Sequence, residues 1–293
     1  MAFTVMTDTS ANIPAAWVER FGLEAIPFNY YIEGKAHYCM DSESFDADEF
    51  YDRIRAGMIV STSLIAPQDY IDFFEPVLKR GQDLIFVAMS SGISGSLNSA
   101  RIAAEDLAED YPDRTIEIID TLGASLGEGL IAIRAAQYRD EGLSVQEAAE
   151  KLRYHVECMF QVFTVDDLMH LKRGGRLSNL SAIVGTVFNI KPLLKGNPEG
   201  KIVAFRKVRG RKHSIDAIAE KYDKLVVDPG SQIVGIAQAG CREEAEYLAS
   251  LLRKKNPPKE ILIVQYEPVT GSHVGPGALA LFFEGAPGVR EEV

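Results

Sequence analysis

The sequence predicts an α/β protein of two α/β domains, the N-terminal one on a mostly parallel sheet and the C-terminal one on a mixed sheet. Two observations carry this expectation. Through the first 156 residues, short apolar β-runs alternate with helical patterns, as βαβ units require. Beyond Val156 the texture changes to a hairpin signal followed by renewed alternation. This places a boundary at 157, with domains at 1–157 and 158–293.

Taken in order, Phe3-Thr4-Val5-Met6-Thr7 is a β-run ending at Asp8, and Ala25 to Ile32 is a second, rich in aromatics. Asp46 to Ala56 and Pro67 to Lys79 carry helical patterns. Leu84 to Met89 is a continuous apolar run of the kind buried on both faces of a parallel sheet. A helix over Leu97 to Asp110 leads to a strand over Thr115 to Ile119, which ends at Asp120. Leu126 to Asp140 and Ser144 to Val156 are helical, the latter opened by Ser144 with Glu147 three residues on, a capping box. Met159 to Thr164 reads as a strand, Asp166 to Leu171 as a short helix, Gly174-Gly175 as a break and Leu177 to Phe188 as a further helix. Lys191 to Leu194 and Lys201 to Val208 flank the turn Gly196-Asn197-Pro198-Glu199-Gly200, a hairpin signal. A helix (Ser214 to Leu225), a strand (Gln232 to Ala237), a helix (Arg242 to Lys254) and a strand (Glu260 to Tyr266) follow, and Ala278 to Phe283 closes the series.

Composition narrows the function. Of 293 residues, 46% are hydrophobic and 25% charged, as in ordinary globular proteins. No run approaches the ~20 apolar residues that span a bilayer. The opening MAFTVMTDTS lacks the basic stretch and long apolar core of a secretory signal. The three cysteines, Cys39, Cys158 and Cys241, are widely spaced, as core thiols in a reducing compartment are. These features predict a cytoplasmic protein. The net charge of −11 is segregated: Lys172 to His213 holds eleven cations and one acid, Glu199, a net of +10 that leaves −21 on the remainder. The basic stretch suits phosphate or an acidic partner surface, while the acidic remainder argues against nucleic acid.

Ligands of open α/β sheets collect outside the carboxyl ends of the strands. Thr7-Asp8-Thr9-Ser10, Ser90 to Ser96 and Asp120-Thr121 fall there, and the Ser61-Thr62-Ser63 loop can reach the same edge. Ser94, Gly95 and Ser96 stand before a helix, whose free N–H groups favour a carboxylate or phosphate. Gly92 and Gly95 allow close backbone approach to a ligand. Gly92-Ile93-Ser94-Gly95-Ser96 also lies one residue from a hydrolase nucleophile elbow, with His273 late in the chain, so an esterase using Ser94 and His273 is an alternative. A binder of another anionic small metabolite is a second alternative. The five histidines show no metal-ligand spacing, and no nucleotide-binding glycine loop is present.

Seven blocks in order resemble the DegV family. They are Thr7 to Pro14, Ser61-Thr62-Ser63, Ser90 to Ser96, Lys172-Arg173-Gly174-Gly175-Arg176, Asn189-Ile190-Lys191-Pro192, Val208-Arg209-Gly210, and His273 to Leu279. The resemblance implies two α/β domains with one long-chain fatty acid in a tunnel between them. It implies a carrier rather than an enzyme, with no cofactor, that presents the acyl carboxylate to a fatty acid kinase for phosphorylation. Thr62 and Ser94 would hydrogen-bond the carboxylate, with Ser63, Gly95, Ser96 and His273 beside them. Arg173, Arg176, Arg206 and Arg209 would meet the kinase or steady the acyl phosphate. Leu177 to Leu194, with Ile183, Val184, Val187 and Phe188, is a candidate apolar wall. The partners so implied are the fatty acid and the kinase, without nucleic acid or a transmembrane segment, membrane contact being at most transient. Two blocks depart from the family pattern: the proline after Thr62-Ser63 is displaced to Pro67, and Leu97 stands where the family has an aromatic.

Overall fold

The computed structural model describes residues 3–40, 45–178 and 189–292. Strand β1 (Thr4–Asp8), helix α1 (Ala15–Phe21) and strand β2 (Leu23–Ile26) form a βαβ unit, the helix stopped by Gly22 in the left-handed region (φ +54°). Strands β3 (Asn29–Ile32), β4 (Lys35–Tyr38) and β5 (Val60–Thr62), with α2 (Ala47–Arg55) between the last two, make a separate antiparallel sheet. Then come α3 (Pro67–Lys79), β6 (Leu84–Ala88), α4 (Ser96–Asp110), β7 (Ile116–Asp120) and α5 (Leu126–Asp140). The first main sheet has the order β2-β1-β6-β7, all parallel.

Helix α6 (Val145–Cys158) carries the expected capping box: Ser144 accepts from Glu147 N, and the Glu147 carboxylate returns to Ser144 N. It leads directly into β8 (Met159–Thr164). After α7 (Met169–Arg173), strands β9 (Ile190–Gly196) and β10 (Ile202–Arg209) form the hairpin. The chain closes with α8 (Arg211–Leu225), β11 (Ile233–Gln238), α9 (Arg242–Lys255), β12 (Glu260–Gln265), α10 (Pro268–Val274) and β13 (Leu279–Glu284). The second main sheet has the order β10-β9-β8-β13-β11-β12, antiparallel except for β11 with β12. The fold is thus the α/β class that the alternation predicts, with a parallel and a mixed sheet.

Two expectations need correction, and one element is additional. Ala25 to Ile32 is not one strand: Pro27 lacks an N–H and cannot continue the ladder, so β2 and β3 part there into different sheets. Ser61 and Thr62 lie in strand β5 rather than a loop, in a segment too short to show periodicity. Helix α10 was not foreseen, although Pro268 at its first position is a helix-start signal. The helix expected over Leu177 to Phe188 lies outside the described residues from position 179 onward.

Helix α5 joins the two main sheets. It is apolar around most of its circumference and touches β1 and β6 on one side and β8, β11 and β13 on the other. Leu126, Ile131 and Ile133 are essentially inaccessible, each worth roughly 1.5–3 kcal/mol of burial. Gly235 lets α5 approach β11: a Cβ there would lie 2.8 Å from that of Leu126. One continuous core therefore includes side chains from both sheets, while a second lies across the mixed sheet beneath α8 and α9. Alternation along β8 feeds both, Met159 and Phe163 on the first side, Phe160 and Val162 on the second.

The first turn of α5 also holds a buried acid. Thr7 Oγ1 lies 2.9 Å from Val87 O and 2.9 Å from Glu128 Oε1. Its single hydrogen serves the Val87 carbonyl, so the second contact takes its hydrogen from a neutral Glu128 carboxyl. Ser10 Oγ bridges Glu128 Oε2 (2.9 Å) and Asp8 Oδ1. Burial and then the Asp8 charge push Glu128 well above the usual carboxylate range, and burial raises Asp8 to about 6.

A second tie joins the serine-glycine loop to the β9–β10 turn. Ser90 Oγ donates to Gly200 O (2.8 Å), and a Cβ on Gly92 would lie 2.5 Å from Glu199 O. Gly92 therefore serves a backbone–backbone contact within the protein, not the ligand approach expected of it. Gly92→Ala should destabilise the chain by about 1–3 kcal/mol, read as a lower urea midpoint. The acid pair makes a pH-dependent prediction. A carboxyl with a raised folded pKa holds its proton when the unfolded chain releases it, so its stabilisation is lost as pH rises. Glu128→Gln, which does not titrate, should gain melting temperature on the wild type between pH 5 and pH 8. A constant difference would place the proton elsewhere.

Candidate functional site

Between the carboxyl edge of the parallel sheet and the inner face of the mixed sheet lies a cavity of about 210 Å³. Its wall is mainly apolar, with Phe28, Met89, Phe163, Val269, Val274 and Phe282 among the lining residues. Register brings the mixed-sheet contribution together, since Phe282 pairs with Gln161 across β13 and β8, two residues from Phe163.

A polar group gathers on one side. Thr62 and Ser63 come from the end of β5, Ser94 and Gly95 from the turn into α4, His273 from α10 and Arg176 from the segment after α7. Helix α10 is placed by Glu267, whose buried carboxylate caps it by accepting from Val269 N and Thr270 N, while Asn12 Oδ1 accepts from Glu267 N (2.7 Å). Burial, opposed by those hydrogen bonds, sets the Glu267 carboxyl at about 7. At the other end of the helix, His273 Nε2 lies 2.9 Å from Thr62 Oγ1. The imidazole packs on Gly174, where an added Cβ would lie 2.4 Å from Nδ1. Burial, and then the Arg176 charge, push His273 down to about 4, so its ring is neutral at pH 7.

Arg176 is the lining cation among the described residues. Its Nε donates to Ile93 O (3.2 Å), and Nη1 donates to Gly174 O. This crosses from the segment after α7 to the serine-glycine loop and fixes the guanidinium at the cavity. Burial lowers its pKa, but a guanidinium remains charged. The hydroxyl group thus has a fixed countercharge. Arg176, expected to meet the kinase or steady the acyl phosphate, lines the same cavity as the candidate headgroup residues.

Other candidates are distributed differently. Ser94 Oγ donates to Ser96 Oγ (3.2 Å) and accepts from Ser96 N (3.2 Å). Ser96 was expected at the ligand, but it is buried behind the wall, its Oγ accepting from Ile65 N (3.2 Å) to hold the segment after β5. Thr7, Asp8 and Ser10 turn inward to the acid network, Thr9 Oγ1 accepts from Phe28 N (3.0 Å), and Asp120 is taken by Ser91, whose Oγ donates to it at 2.6 Å. Arg173, with Arg176, Thr62 and His273, lines an adjoining recess of about 250 Å³. Arg206 and Arg209 stand exposed on β10, away from both spaces, Arg206 lying 3.9 Å from Glu220. Of the candidate wall, residues 179–188 lie outside the described residues, and Leu193 and Leu194 belong to the cores. Thr270, Tyr266, Ser125 and Gln161 line the cavity without having been singled out; each sits where pairing across distant elements decides the facing side.

The arrangement does not make a nucleophile. His273 Nε2 is engaged by Thr62, not Ser94, and a base held near 4 draws little proton from a serine at neutral pH. What it offers is hydrogen-bond donors beside one fixed positive charge.

An α/β fold that encloses a largely apolar cavity, with hydroxyls, an imidazole and a guanidinium at one side, is the class of protein these features define. The chain belongs to the DegV family: the model for this family, described as uncharacterised, matches residues 2–286. A DegV domain-containing protein of Clostridium perfringens is 37% identical over 283 residues, 97% of each chain. One from Streptococcus pyogenes is 34% identical over 97% of this chain and 99% of its own. Among solved structures, a fatty-acid-binding DegV family protein of Thermus thermophilus superposes with a TM-score of 0.88 at 26% identity, covering 97% of this chain and 100% of that one. A fatty-acid-binding DegV family protein of Streptococcus agalactiae gives 0.84 at 31% identity, covering 96% and 98%. The family resemblance of the seven sequence blocks is borne out.

Titration of the His273 ring by NMR tests the electrostatics. Because burial depresses its pKa to about 4, the ring should stay neutral from pH 8 down to pH 5. A midpoint near the ordinary histidine value would mean that the ring is solvated.

Proposed function

We propose that this protein binds one long-chain fatty acid, with the chain in the apolar cavity and the carboxylate at the Thr62, Ser94, His273 and Arg176 group. The observation that carries the reading is that amphipathic cavity: an apolar wall meets donors and Arg176, the lining cation among the described residues, on one side. The fatty acids bound by the Thermus thermophilus and Streptococcus agalactiae relatives supply the ligand class. A buried carboxylate needs a countercharge and hydrogen bonds to offset desolvation, and Arg176 with the hydroxyls provides both. With Nε2 protonated, neutral His273 donates to Thr62 Oγ1, which leaves the Thr62 hydrogen free for the carboxylate. Ser63 and Gly95 complete the lining beside it.

The protein acts as a cytoplasmic carrier, and a partner kinase converts the presented carboxylate to an acyl phosphate. Support comes from the adjoining recess, where Arg173 and Arg176 suit a phosphoryl group, and from the exposed Arg206 and Arg209, which suit an acidic partner. Ser94 holds the ligand and does not attack it. Mass spectrometry of natively purified protein should find a fatty acid at one per chain. The double variant Thr62→Ala, Ser94→Ala should lower affinity on the order of 100-fold, since hydrogen bonds to a charged group are lost. An empty protein would overturn the carrier reading, and unchanged affinity in the double variant would remove the headgroup assignment.

A further inference from the structure

The same cavity holds a second polar locus on elements that contribute nothing to the first. Ser125 occupies the N-cap of α5, where a serine hydroxyl ordinarily accepts from the helix's own N–H groups. Here it does not. The backbone at φ +55°, ψ −140° turns the side chain away from the helix, a conformation costly for any residue but glycine. Ser125 is buried and lines the cavity, and its Oγ has no hydrogen-bond partner among the described residues. An orphaned buried hydroxyl is expensive unless something meets it.

The surroundings define what that something is. Tyr266 lines the same cavity, yet its phenol makes no hydrogen bond to the Ser125 hydroxyl. Gln161 shares the wall, but its amide is committed: Oε1 accepts from Ala124 N and Nε2 donates to Leu122 O, both at 3.3 Å. It thereby orients the backbone that leads into Ser125. Gly123 and Gly127 make room for that amide, since a Cβ at either would lie within 2.6 Å of it. Glu128, in the first turn of the helix that Ser125 opens, is joined through Ser10 to Asp8, and the Asp8 carboxylate disfavours a second anion there.

We infer that Ser125 Oγ is a second ligand-binding group, one that hydrogen-bonds a neutral oxygen substituent on the acyl chain, a hydroxyl or a ketone. The protein would then prefer oxygenated long-chain acids to plain ones of equal length. This rests on the fatty-acid reading of the cavity. It deepens that reading by naming the substrate class.

The test is titration calorimetry on delipidated protein with stearic acid and a series of hydroxystearic acids that differ in hydroxyl position. At least one isomer should bind roughly 3- to 10-fold more tightly than stearic acid, as one neutral hydrogen bond implies. Ser125→Ala should abolish that preference, read as the ratio of the hydroxystearic to the stearic acid affinity falling to about one. Ser125→Gly, which relieves the backbone, serves the same comparison if the alanine variant does not fold. The inference is overturned if no isomer surpasses stearic acid, or if the preference survives both substitutions. It is also overturned if removing the hydroxyl changes only the melting temperature, which would make Ser125 a structural tie to Tyr266. Failure of stearic acid itself to bind would instead overturn the fatty-acid reading.

Discussion

The burial of α5 between the two main sheets is the constraint on which the rest depends. A helix with apolar residues on nearly every side cannot face water, and neither sheet alone covers it. Once both do, the carboxyl edge of the parallel sheet faces the inner surface of the mixed one, and a cavity remains where their loops cannot fill the space. The acid in the first turn of α5 is acceptable there because it is neutral and hydrogen-bonded to Thr7 and Ser10. The same helix that closes the core therefore sets one wall of the site.

The polar side of the cavity is assembled from segments distant in the chain, and each is fixed by a contact unrelated to any ligand. Pairing with β3 sets Thr62, the Glu267 cap sets His273, and hydrogen bonds to Ile93 and Gly174 set Arg176. Such preorganisation matters for a buried anion, because groups already held in place need not be ordered on binding. It also explains why Gly92 and Gly200 sit where they do: their missing side chains let the serine loop and the hairpin turn touch.

Burial pushes Glu128 up and His273 down, so both favour the neutral form, and Arg176 is the cation lining the cavity among the described residues. In a medium of low dielectric constant one such charge is felt strongly. In the proposed reading an anionic headgroup goes to the Arg176 side, and the part of the lining formed by Ser125 and Tyr266 is left to neutral chemistry.

Much of the architecture was legible in the sequence because it is periodic. The apolar run of β6, the capping box of α6 and the hairpin turn at 196–200 are local signals, and each appears where its pattern stands. Ser94 before a helix and Thr62 in a hydroxyl segment at the strand edge were legible from their residues, whereas their grouping with His273 about a carboxylate came only from the family blocks. Arg176 and Ser96 could not be sorted from sequence, since both lie in polar stretches and differ only in which way they face. Local periodicity thus determined the elements and their class by itself. Which side chains meet at the cavity, which acids lose their charge and which hydroxyl is left unpaired was decided only by tertiary structure, because burial and proximity arise between segments that the chain keeps far apart.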